Sequence, residues 1–84
     1  MEVEDINLTP KQAIESLFNG DTVVDDDFGY YYRLPTQEEI MYFCEPDEVI
    51  RSCKCDTTTI KLSELEQYES FMGVKTTFKV VNNR

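Results

Sequence analysis

The side chains able to do chemistry in this sequence are cysteines, carboxylates, tyrosines and hydroxyls, and there is no histidine to serve them. Ser–His and Cys–His nucleophile systems are therefore closed to it, because both need an imidazole to take up the nucleophile's proton. Three cysteines stand at Cys44, Cys53 and Cys55. The Cys-x-Cys pair places two thiols on one side of a strand, as a zinc ion shared across a dimer would require. A structural zinc site wants four ligands, however, and no imidazole can complete one. The odd count argues against a disulfide framework. The cysteines are read as reduced, small apolar residues, with no metal and no cofactor. Asp25-Asp26-Asp27 invites a divalent cation, but consecutive turn residues point in different directions. The alternating ligands and closing glutamate of a calcium loop are missing, so a solvated acidic turn is expected. Three scattered glycines build no phosphate loop, and no two carboxylates stand out as an acid–base pair. The chain is expected not to be an enzyme.

Charge says more. Seventeen acids against eight bases give −9. Residues 1–48 hold thirteen acids and two bases, a balance of −11, while residues 49–84 hold four acids and six bases, a balance of +2. Phosphate contacts need clustered Lys and Arg, so direct binding of nucleic acid or of anionic membranes is disfavoured. A basic protein surface is the favoured partner, because complementary potentials speed encounter and set orientation. The alternative is that the acidity serves solubility alone. The acidic opening lacks the basic, then apolar, pattern of a secretory signal. The longest apolar run, Ile40 to Cys44, is far short of the ~20 residues of a membrane span. The expectation is a soluble, cytoplasmic protein.

The elements that must position these groups follow from local signals. Thr9-Pro10-Lys11-Gln12 combines a capping threonine, a proline at the first helical position and a capping box. Ala13, Ile14, Leu17 and Phe18 then share a helical face, and Gly20 provides the exit, giving a helix over about 10–19. Thr22-Val23-Val24 and Tyr30 to Leu34 read as a hairpin around the acidic turn. Pro35 to Cys44 supports two readings. Thr36 with Glu39 looks like a capping box, but Ile40-Met41-Tyr42-Phe43-Cys44 is short, β-prone and stopped by Glu45-Pro46, and a strand is preferred. Val49 to Cys55 and Thr57 to Leu62 are strands. Ser63 to Glu66 reads as a second capping box, opening a helix through Leu65, Tyr68 and Met72 to Gly73, and Thr76 to Val81 is a last strand. The expected fold is α+β in the order α-β-β-β-β-α-β. It is a small antiparallel sheet of four to five strands packed by two short helices, one domain over 1–84 with loose ends at 1–7 and 82–84.

Alternation along the Tyr30-Tyr31-Tyr32 run puts Tyr30 and Tyr32 with Leu34 on one face, and Tyr31 beside Arg33 on the other. With the first face in the core, Tyr31 faces water among acids. Tyrosine offers a large contact area at low entropic cost, and acid beside flat rings imitates what nucleic acid presents. The candidate binding residues are Asp25, Asp26, Asp27, Tyr31, Glu45, Asp47 and Glu48. The bland reading makes all three tyrosines ordinary sheet residues.

The segment Leu8-Thr9-Pro10-Lys11-Gln12-Ala13-Ile14-Glu15-Ser16-Leu17-Phe18-Asn19-Gly20-Asp21-Thr22-Val23-Val24, followed by Tyr31-Tyr32-Arg33-Leu34, resembles the opening of many small early proteins of bacteriophages and prophages. The resemblance covers about a third of the chain, rests on helix–turn–strand grammar and carries no site residue across. Some proteins of that kind block host CRISPR or restriction nucleases by occupying nucleic-acid-binding surfaces. Others sequester nucleotide signals. The expected function is thus a non-catalytic module, phage-encoded, that inhibits a host nucleic-acid-handling protein by occupying its basic surface. The alternatives are a nucleotide-signal binder, disfavoured by the scarcity of bases, and a phage structural or assembly protein. A homodimer is compatible with either reading.

Overall fold

The computed structural model describes residues 2–3, 6–54, 56–67 and 76–82. The elements run β1 (Glu2–Val3), α1 (Pro10–Phe18), β2 (Thr22–Asp25), β3 (Tyr31–Arg33), α2 (Gln37–Tyr42), β4 (Glu48–Cys53), β5 (Asp56–Lys61), α3 (Leu62–Glu66) and β6 (Phe78–Asn82). The strands form one antiparallel sheet in the order β1-β6-β2-β3-β4-β5. The α+β class holds. The expected order needs two additions, a two-residue first strand and a middle helix. Glu2 and Val3, placed in a loose end by the sequence, pair with Asn82 and Val81.

Helix α1 forms where its local signals converge. Thr9 and Gln12 exchange hydrogen bonds in a capping box, with Pro10 following the cap. At the other end Gly20 adopts φ +94°. The Gly20 N–H reaches the Leu17 carbonyl at 3.0 Å and the Asp21 N–H reaches that of Ser16 at 3.1 Å, the paired bonds of a Schellman ending. The strand register puts Val23, Tyr32, Val49, Ile60 and Phe78 on one sheet face. There they bury with Ala13 and Leu17 of α1 and Leu65 of α3. Tyr32 meets Phe78 edge to face, with centroids 5.8 Å apart. Tyr30 and Leu34 pack at the margin of this core, as alternation predicts.

Two helical expectations need correcting. Phe18 lies on the predicted apolar stripe of α1 but is 63% exposed, because the buried face of the helix is centred on Ala13, Ser16 and Leu17, with Ile14 at its margin. Helix α3 begins at Leu62, straight out of β5, and its cap position Lys61 makes no side-chain bond, so the expected Ser63–Glu66 capping box is absent. The predicted continuation through Tyr68 and Met72 to Gly73 lies outside the described residues, as does Cys55.

The segment 36–44 is the main correction. It is not a strand but α2, and its apolar run Met41, Tyr42 and Phe43 stands in solvent at 71%, 80% and 56% exposure. Two physical reasons decide this. β3 pairs directly with β4, leaving no slot for another strand between them. In addition, Thr36 and Glu39 form a full capping box, which fixes the helical start against the β-prone composition.

Candidate functional site

The structure divides the candidate acids between two places. Asp25 ends β2, and Asp26 and Asp27 open the β2–β3 turn, before β3. Glu45, Asp47 and Glu48 follow α2, beyond the other end of β3. At ~3.3 Å per residue, the three-residue length of β3 separates the two groups, which sit at its opposite ends.

The turn group is mostly structural. Asp25 is only 2% exposed. One carboxylate oxygen accepts from the Phe28 N–H at 2.6 Å and the Gly29 N–H at 2.9 Å, and the other accepts from the Tyr32 hydroxyl at 3.0 Å. Gly29 takes φ +73°, closing the turn. The expected solvated turn is thus built around a buried carboxylate, and Asp25 has nothing left for a partner. Asp26 binds the Lys79 ammonium at 2.7 Å and the Thr77 hydroxyl. These bonds hold its carboxyl below the usual range. Asp27 is exposed. Phe28 stacks on Tyr30, whose ring also lies 4.8 Å below the Arg51 guanidinium, so Tyr30 serves the fold.

At the other end, α2 is held by one strong contact. The Arg33 guanidinium on β3 donates to both Glu39 oxygens, at 2.7 and 2.9 Å. The same carboxylate accepts the Thr36 N–H at 2.9 Å. Arg33 first, and then the Thr36 backbone, pull the Glu39 pKa down to about 2 from the usual 4.5. Glu39 therefore caps α2 and pins it to the sheet at once. No α2 residue is buried. Beside it lies an open concavity of about 660 Å³, lined by Arg33, Thr36, Glu38, Glu39, Tyr42 and Phe43. Tyr31 shares the sheet face of Arg33 and is 36% exposed. Of the acids that follow, Glu45 is exposed, Asp47 faces Lys61 at 3.4 Å, and Glu48 accepts from the Glu45 N–H at 2.8 Å and the Thr59 hydroxyl at 3.3 Å. The Cys44 thiol is pushed up, first by desolvation and then by the charge of Glu48 and Glu39, which disfavours its thiolate. Among the described residues no group of His, Cys, Asp and Glu is arranged to hold a metal ion.

Sequence reasoning missed Met41, Tyr42 and Phe43. The signal was available: a capping box, then one helical turn of polar residues, then five consecutive apolar residues from Ile40 to Cys44, which no single helix face can bury. The Arg33–Glu39 pair also sets a pH dependence. A carboxyl whose folded pKa is depressed contributes stability above its unfolded pKa and loses it as pH falls through the folded value. The difference in melting temperature between the wild type and Glu39→Gln is expected to be full at neutral pH. It should shrink below about 4.5 and be nearly gone near pH 2. A difference unchanged at acid pH would mean the pair does not act on folding.

No protein-family model, curated protein or solved structure matches the chain. No helix of the described residues is long and apolar enough to cross a membrane. Fold and site together define a small α+β protein with an exposed, acid-flanked aromatic helix turn.

Proposed function

We propose that this chain is a non-catalytic binding module that docks on the basic surface of a nucleic-acid-handling protein, with α2 as its contact element. The observation that carries the reading is the exposure of Met41, Tyr42 and Phe43 between the acids Glu38 and Glu45. Contiguous exposed apolar side chains mark interaction sites, and Met and aromatic residues are enriched at interface centres while charge lies at the rim. The acidic rim supplies the steering toward a basic partner. Tyr31 extends the surface across the open sheet face. The likeness of the opening segment to small phage early proteins directs the proposal to a phage-encoded inhibitor of a host nuclease, of the CRISPR or restriction kind. A nucleotide-signal binder is less well supported, because Arg33, the cation that lines the α2 concavity, is already held bidentately by Glu39, and Glu38 lines the same space.

The test is capture from a bacterial lysate on immobilised wild-type protein and on a Tyr42→Ala/Phe43→Ala variant. The expected result is a nucleic-acid-binding protein retained by the wild type, lost from the variant, and eluted by competing DNA or RNA. Equal retention by both, or indifference to nucleic acid, would sink the reading.

A further inference from the structure

The two edges of the sheet are unequal. β1 at one edge has two paired residues, whereas β5 at the other has six, Asp56-Thr57-Thr58-Thr59-Ile60-Lys61. The phase of its hydrogen bonding is fixed by the Leu62 N–H, which donates to the Asp47 carbonyl at 2.9 Å in the same register that pairs Ile60 with Val49 and Thr58 with Arg51. In an antiparallel ladder bonded pairs alternate. Asp56, Thr58 and Ile60 therefore turn their backbone groups toward β4. Thr57 and Thr59 turn theirs outward, to an edge that no described strand covers, and Lys61 turns its N–H there, its carbonyl being the cap acceptor of α3. Thr57 and Thr58 are exposed, and the run is β-branched without proline, a template for a further strand.

The geometry points to a second copy of this chain as that strand, paired β5 to β5 about a twofold axis at Thr59. An antiparallel twofold pair keeps like faces together, so opposed residues must share a face. The axis at Thr59 sets Thr59 against its own mate and Thr57 against Lys61 of the other copy. Both backbone groups of Thr59 then bond its mate and the Lys61 N–H meets the Thr57 carbonyl of the other copy, and the contact closes as a dimer rather than growing into a filament. Charge selects the same occupant. The strand carries one acid and one base, Asp56 and Lys61, the latter paired with Asp47 at 3.4 Å, so in a chain of −9 it is a less acidic edge at which two copies meet with little repulsion. An edge contact alone is smaller than a standard interface, so the dimer is weak and strengthens as salt screens the net charge.

Sedimentation velocity over a concentration series reaching the millimolar range tests this, because local and global charge predict opposite signs. Thr57→Lys sets two ammonium groups against the two Lys61 side chains and weakens the dimer by about threefold to tenfold, although it lowers the net negative charge. Thr57→Glu strengthens it by a similar factor, although it raises that charge. Thr59→Pro removes the central outward donor and abolishes dimerisation, while leaving the β4 ladder, which does not use that N–H. A chain monomeric at millimolar concentration overturns the proposal. So do Thr57 variants that follow net charge, an association that Thr59→Pro leaves intact, or an edge that pairs only with a foreign strand.

Discussion

Asp25→Ala is expected to cost about 3–5 kcal/mol and to leave the protein partly unfolded at room temperature. The carboxylate satisfies two turn N–H groups and the Tyr32 hydroxyl from a site 2% exposed. A hydrogen bond to a charged group contributes about 1.5–3 kcal/mol; the buried Tyr32 hydroxyl and the Phe28 N–H both lose this acceptor, while the Gly29 N–H keeps the carbonyl of residue 25 at 3.2 Å. A chain of 84 residues has only about 4–12 kcal/mol in total. Asp25→Asn retains an oxygen for the turn donors, and the Tyr32 hydroxyl can rotate to accept from the new amide, so this variant should lose about 1 kcal/mol. Asp25→Lys would bury an ammonium among donors and should not fold. Urea denaturation with constant m separates the three. Equal midpoints for the wild type and Asp25→Ala would show that the turn is not organised around this carboxylate.

Leu17→Ala and Phe18→Ala should differ sharply despite their adjacency. Leu17 is fully buried between α1 and the sheet and Phe18 is 63% exposed. The first should lose about 2–5 kcal/mol through a cavity the helix cannot close, and the second less than about 1 kcal/mol. For a domain this small each kcal/mol moves the melting temperature by about 4–8 °C, so scanning calorimetry resolves the pair easily. Similar losses for both would place α1 on the sheet differently.

These residues also show what the sequence could reveal. Helix α1 was legible to within one residue, about 10–19 against Pro10–Phe18, because its capping box, proline and glycine exit are all local. So was the facing of Tyr31 away from Tyr30 and Tyr32, since strand alternation is a local rule. The burial of Asp25 was not legible. It depends on a hydroxyl seven residues away, brought beneath the turn only once β2 and β3 pair, and three consecutive acids otherwise read as solvated. Helix α2 was half legible. Its capping box was visible, but Ile40 to Cys44 has the composition of a strand. What excludes that strand is the direct pairing of β3 with β4, a fact of the whole sheet. Phe18 misled for a related reason: periodicity gives the width of an apolar stripe, not how much of it the rest of the chain covers.

The split of the acids into two clusters sharpens the functional claim. The cluster around α2 adjoins the longer and more exposed apolar run, Met41, Tyr42 and Phe43, whereas the turn cluster adjoins only Phe28, 43% exposed and stacked on Tyr30, so the two clusters should behave differently toward a basic partner. The most direct measurement is the association rate with the captured partner, by surface plasmon resonance at rising salt. The comparison sets the wild type against Glu38→Lys/Glu45→Lys and Asp27→Lys. Docking through α2 predicts a rate that falls with salt and falls at least about tenfold in the double reversal. Asp27→Lys, a strand's length away, should change it far less. A rate indifferent to salt and equal for all three proteins would contradict docking through α2 and leave the acidity as a means of solubility.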